Sequence, residues 1–84
     1  MTLEALAKTR HITGVKQVGK AVERGKAACV FIAGDADRRI TDPLRALCGE
    51  RGVEVEEAAT MAELGKACGI AVGSAAAAAL SENR

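Results

Sequence analysis

The run Ala28-Cys29-Val30-Phe31-Ile32-Ala33 constrains this chain most. It is continuously apolar and rich in β-branched residues, and its length fits one strand buried on both faces. Such a strand requires helices packed above and below it. With 84 residues there is room for one core, so residues 1–84 are expected to form a single domain.

The rest of the chain supplies those helices. Thr2 can cap a first helix running through about Arg10, with Leu3, Leu6 and Ala7 on one face. His11-Ile12-Thr13 reads as a minor strand. A second helix starts at Thr13 or Gly14, buries the stripe Val15, Val18 and Val22, and ends at Gly25. Gly34 to Asp37 reads as a loop after the central strand. Thr41-Asp42-Pro43 has the form of a helix start, and that helix should bury Leu44, Leu47 and Cys48 and end near Gly52.

Val53 to Glu56 alternates and reads as a second strand nearer an edge. Thr60-Met61-Ala62-Glu63 is a capping box opening a short helix that Gly69 ends. Ala75 to Ala79 has helical propensity, but the alternation of strands and helices calls for a final strand there. Alanine also fits a strand crowded by helices on both faces, so strand is the favoured reading. The fold class is α/β, a three-layer α/β/α sandwich with a mixed sheet of about four strands.

Composition excludes several functions. The chain is 49% hydrophobic, much of it alanine, with one Phe and no Trp or Tyr. That argues against the aromatic base-stacking platforms of RNA recognition motifs and OB-folds. Net charge is only +1, but it is unevenly spread. Residues 1–26 hold six basic and two acidic side chains, whereas residues 27–84 hold six basic and nine acidic ones. The positive field is therefore local and favours a focused contact. Cys29, Cys48 and Cys68 are widely spaced in apolar surroundings, and His11 is the only histidine. Buried reduced thiols are expected, with no metal, no disulfide and no cofactor. The N-terminus lacks a charged leader with an apolar core, and no apolar run reaches a membrane span uninterrupted. A cytoplasmic protein is expected.

Four motifs remain. Lys16, Gln17 and Lys20 share the polar face at the start of the second helix, where ammonium groups suit phosphates and guanine acceptors and an amide suits a base edge. Gly14-x-x-x-x-Gly19-Lys20-Ala21 imitates a phosphate-binding loop. Ala21 lacks the hydroxyl that would hold magnesium, and the valine stripe makes the segment a helix. Asp35 and Asp37 form a carboxylate pair without a histidine or nucleophile beside it, better read as a solvated turn. Gly69 to Ser74 is an apolar loop that either tucks into the core or marks a contact surface.

With these segments in order, the chain resembles the L7Ae/L30e family, particularly its small bacterial members. The blocks that carry the resemblance are Thr13–Lys26, Val30–Asp37 and Leu64–Ala77, and together they cover nearly the whole chain. The resemblance implies an α/β/α sandwich that binds kink-turns, RNA helices bent at a bulge beside tandem sheared G·A pairs. It implies that Gly14, Lys16, Gln17 and Lys20 occupy the positions of a G-x-N-E-x-x-K pattern facing those guanine edges. Arg24 matches a position that contacts the RNA backbone, and Asp37 an acidic position near the bulged nucleotides. Ile70, Ala71, Val72, Gly73 and Ser74 match the loop that packs against the displaced base. Two departures stand out: Lys16-Gln17 replaces the Asn-Glu of archaeal and eukaryotic members, and Ala71 stands where relatives often carry a charged or polar residue.

The expectation is thus a non-enzymatic, monomeric partner of kink-turn RNA, either ribosomal or riboswitch-like, that binds neither DNA nor membranes. The alternative is a protein-interaction or assembly module that keeps the fold without specific RNA binding.

Overall fold

The computed structural model describes residues 1–81. Four helices and four strands follow one another: α1 (Leu3–Ala7), β1 (His11–Thr13), α2 (Val15–Glu23), β2 (Ala27–Ala33), α3 (Arg38–Arg51), β3 (Glu54–Ala58), α4 (Met61–Ala67) and β4 (Ala76–Leu80). The strands form one mixed sheet in the order β1-β4-β2-β3. β4 is antiparallel to both of its neighbours, and β2 and β3 are parallel.

Strand alternation divides the core in two. Val30 and Ile32 of β2 pack with Ala76 and Ala78 of β4 under Val18 and Val22 of α2 and Leu44 and Cys48 of α3. On the other face, Cys29, Phe31 and Ala33 join Ala77 and Ala79 beneath Leu6 of α1 and Leu64 of α4. The sheet is therefore the middle of three layers, and β2 is buried on both faces as its composition requires. The alanine run is a strand: Ala76 to Ala79 are all fully buried. Their short side chains let helices approach β4 from above and below.

Several boundaries differ from the sequence reading. α1 stops at Ala7 rather than near Arg10, because Lys8 caps it and turns the chain toward β1. α3 begins at Arg38, not Thr41. The Asp37 carboxylate accepts from the Arg39 N–H at 2.9 Å and caps the helix earlier, so Thr41 is a buried core residue instead of a cap. Pro43 then lies inside the helix. Its missing N–H leaves the Arg39 carbonyl without a helical donor, on an exposed part of the surface where water can supply one. β3 is shifted, running from Glu54 to Ala58, and it is an edge strand as expected. The capping side chain of Thr60 does accept from the Glu63 N–H, at 3.0 Å. All three cysteines are free. Cys29 and Cys48 are buried, but Cys68 is only half-buried, and burial pushes all three thiols up.

The topology decides what shares an end of the sheet. Chain leaves β1, β2 and β3, and enters β4, at the same end. The start of α2, the loop of residues 34–37, the start of α4 and the loop of residues 70–75 therefore cluster there.

Candidate functional site

α2 differs from the other helices at its start. The side chains of Thr2, Asp37 and Thr60 cap α1, α3 and α4 by accepting first-turn N–H groups. Gly14 precedes α2 with φ 97° and offers no side-chain cap. A side chain would be strained in that conformation, so glycine is needed to turn β1 into α2. The first-turn N–H groups of α2 thus keep their donors for an outside acceptor, at the positive end of the helix dipole.

The polar face is arranged around that opening. Lys16, Gln17 and Lys20 are all exposed. Lys16 borders a groove between α2 and α3, Gln17 borders one between α2 and the β1–β4 edge, and Lys20 stands on the rim of both. The three side chains form the outward ridge of the helix. Arg24 caps the C-terminus of α2, so it lies about 12 Å along the axis from Lys16. The spacing that imitates a phosphate-binding loop is helical throughout from Val15 to Ala21.

The apolar loop is strapped onto α4. The Ile70 N–H donates to the Gly65 carbonyl and the Ser74 N–H to the Met61 carbonyl, both at 3.0 Å. A Cβ on Gly65 would run into the Val72 carbonyl oxygen, and one on Gly73 would press on Met61. Both glycines allow the loop backbone to lie flat on the helix. Val72 then stands 71% exposed and Ile70 36% exposed, with Ala71 and Gly73 exposed beside them. The loop projects from the surface and does not tuck into the core. Ser74 is the exception. It is buried, and its hydroxyl donates to the Ala76 carbonyl at 2.7 Å.

That same Ala76 carbonyl accepts the Gly14 N–H at 2.9 Å. The end of the loop and the start of α2 therefore meet on one oxygen atom. Ser74 fastens the two parts together, with its hydroxyl turned inward.

The third segment is the loop after β2. The Ala33 N–H donates to the Ala75 carbonyl, and the Asp35 carboxylate accepts the Met61 N–H at 2.8 Å. Asp35 so braces α4 under the apolar loop. Asp37 caps α3 and also pairs with the Arg39 guanidinium at 3.1 Å. The Arg39 side chain and backbone N–H hold the Asp37 carboxyl below the usual carboxylate range. Asp37 lies at the right end of the sheet, but both of its oxygens are engaged by Arg39.

Gly65 was not singled out from sequence. A glycine inside a helix costs about 1 kcal/mol relative to alanine, which is a signal of close backbone approach.

Charge is partitioned as sharply as the caps. Among the described residues Lys16, Lys20, Arg24 and Lys26 form no ion pair. Arg38, Arg39 and Arg45 instead meet the carboxylates of Asp42, Asp37 and Glu57. Among the described residues no helix is long and apolar enough to cross a membrane, and no cluster of His, Cys, Asp or Glu could hold a metal ion.

Comparison with known proteins places this geometry. An RNA-binding protein of Caldanaerobacter subterraneus subsp. tengcongensis is 42% identical over 69 residues, covering 82% of this chain and 84% of its own. The large ribosomal subunit protein eL8 of Halobacterium salinarum is 44% identical over 81 residues, covering 90% of this chain and 68% of its own. The structure of the Giardia lamblia 15.5kD RNA binding protein superposes with a TM-score of 0.84 at 30% identity, over 96% of this chain and 69% of that one. These names are those of RNA-binding and ribosomal proteins rather than of enzymes. Residues 2–84 match the profile of the family described as ribosomal protein L7Ae/L30e/S12e/Gadd45. With a match of that extent and relatives of that similarity, the chain belongs to the L7Ae/L30e family.

Proposed function

We propose that this chain is a non-enzymatic RNA-binding protein that recognises and stabilises a kink-turn. The observation that carries this reading is the fastening of two unlike surfaces to the Ala76 carbonyl. One is the uncapped, lysine-bearing start of α2, and the other is the apolar loop at Ile70 to Gly73. A bent RNA with a displaced base offers the matching pair: guanine edges and phosphates beside an unstacked apolar ring.

The roles follow from the chemistry. Open N–H groups after Gly14 approach phosphate oxygens, and Lys16 and Lys20 add positive charge at the same place. Lys20 donates to guanine N7 or O6. Gln17 offers an amide oxygen to the guanine N1 and N2 donors where archaeal and eukaryotic relatives offer a carboxylate. That acceptor is uncharged, so each bond made there is weaker than a charge-assisted one. Ile70 and Val72 cover the face of the displaced base, burying apolar area with no aromatic stacking partner. Arg24 reaches the backbone, and Asp37 borders the bulge while capping α3.

Selection is by shape. A regular A-form helix hides its guanine edges in a deep, narrow groove, whereas the kinked form presents them. Protein that binds only the kinked form shifts the RNA population toward it. The natural RNA would be ribosomal or riboswitch-like, and the protein would act as a monomer. The test is a titration of the protein with a kink-turn and with a straight duplex of the same length. Tighter binding to the kink-turn is expected. Equal, tight binding to both would reject kink-turn recognition and leave general polyanion affinity.

A further inference from the structure

Lys26 and Arg10 lie at the end of the sheet opposite the proposed site, and nothing above uses them. We propose that they close a second contact for the same RNA: a track for the phosphodiester backbone of the helical stem that leaves the kink. The track is the groove between α2 and the β1–β4 edge, and its identity as an RNA contact rests on the RNA-binding reading.

The groove holds about 280 Å³, with Gln17, Lys20, Arg24 and Lys26 along it and Ile12 and Leu80 as apolar lining. Lys20 belongs to both sites, so the two surfaces are continuous. At the far end the Leu80 N–H donates to the Arg10 carbonyl at 2.9 Å and the Ser81 N–H to the Lys26 carbonyl at 2.7 Å. Arg10 and Lys26 therefore flank the end of β4 on its two sides, about 10 Å apart at two strand spacings. Ile12 packs toward the α2 core. Arg10 immediately precedes β1, and its carbonyl accepts the N–H of Leu80, a residue of the groove lining, so Arg10 stands at the far end of the groove.

Charge and shape specify the ligand. Among the described residues, Arg10, Lys20, Arg24 and Lys26 form no ion pair, and no carboxylate lines this groove. Glu23, the one acid of α2, borders the other groove, beside α3. Beyond Gln17 and Lys20 the lining offers no aromatic ring for stacking, and Arg24 and Lys26 suit phosphate as charges, so contact along the rest of the groove is to the backbone and independent of sequence. α2 has nine residues and is about 13 Å long, which spans roughly four nucleotides of a duplex strand.

The test uses the whole chain with Arg10→Gln and Lys26→Gln combined, two exposed positions outside the proposed kink-turn site. Two kink-turn RNAs are compared, one with long stems and one with the flanking stem trimmed to leave only the kink. The original protein is expected to bind the long-stem RNA about tenfold more tightly than the trimmed one. The double variant is expected to bind both alike, with a log K against log salt slope on the long RNA shallower by about 1.4–1.8, since each phosphate contributes about 0.7–0.9. A control, Arg38→Gln with Arg39→Gln, removes equal charge from α3 and should leave the stem dependence and slope as they were.

The track is overturned if the Arg10/Lys26 variant keeps the original stem dependence and salt slope, or if the α3 control loses as much. Loss of preference for the kink itself by the original protein would reject the kink-turn reading instead, while stem dependence and slope would still decide the track.

Discussion

α2 and α3 lie side by side on one face of the sheet and treat charge in opposite ways. α3 carries more cations, yet Arg38, Arg39 and Arg45 are spent on Asp42, Asp37 and Glu57, and Asp37 closes the helix start. α2 carries fewer, but its start has no side-chain cap and Lys16, Lys20 and Arg24 have no carboxylate partner among the described residues. The lesson is that counting basic residues would point to the wrong helix. Availability, the absence of an internal acceptor, marks the surface that can take an anion from outside.

The largest effect should come from the open helix. Lys20→Ala is expected to weaken kink-turn binding by about 1–3 kcal/mol, the range of a good bidentate base contact, and to leave the thermal midpoint unchanged. A shifted midpoint would mean that Lys20 supports the fold and that the α2 face is not simply waiting for a ligand.

Gly65→Ala should come next. Forcing the Val72 carbonyl aside costs about 1–3 kcal/mol of overpacking, partly offset by about 1 kcal/mol of helix propensity. A modest loss of stability in denaturant should accompany weaker RNA binding. A variant more stable than the original, with full affinity, would show that the loop does not depend on that close approach.

On the closed helix, Asp37→Ala should lower stability through the lost cap and change RNA affinity less than Lys20→Ala does. Arg39→Ala, an exposed ion pair, should alter stability and affinity by less than about 0.5 kcal/mol. If Arg39→Ala cost as much RNA affinity as Lys20→Ala, the contrast between the helices would collapse.

The smallest effect is in acid. Arg39 and Arg45 hold the Asp37 and Glu57 carboxyls below their ordinary range. A carboxyl depressed in the folded state adds stability that is present above its unfolded pKa and lost as pH falls through the lower folded value. Both groups are well exposed, so the loss should be slight and confined to the start of α3 and its contact with β3. Amide exchange on acidification should loosen the first turn of α3 before α2. The reverse order would contradict the assignment of these pairs to α3.

How much of this the residues disclosed varied with the physics involved. β2 was legible because a run of Val, Phe and Ile without a polar position has few other places to go. β4 was legible only from the rhythm of the chain, since propensity alone favours helix for five alanines. The start of α3 was misread because Thr41-Asp42-Pro43 and Asp37 both qualify as helix openings, and only tertiary packing, which buries Thr41, decides between them. Lys16, Gln17 and Lys20 could be placed on one face by spacing. The Ala76 carbonyl that ties Gly14 to Ser74 could not, because 62 residues separate Gly14 from Ala76 and no local pattern encodes a shared acceptor. Ser74 was accordingly grouped with the exposed loop when its hydroxyl points inward.

The most direct measurement compares binding to an intact kink-turn with binding to the same RNA carrying disrupted G·A pairs, at one fixed salt concentration. We expect the intact RNA to bind more tightly by at least about 1–3 kcal/mol, the worth of one guanine contact. Equal affinity for the intact and disrupted RNAs would contradict the reading of guanine edges by Lys16, Gln17 and Lys20.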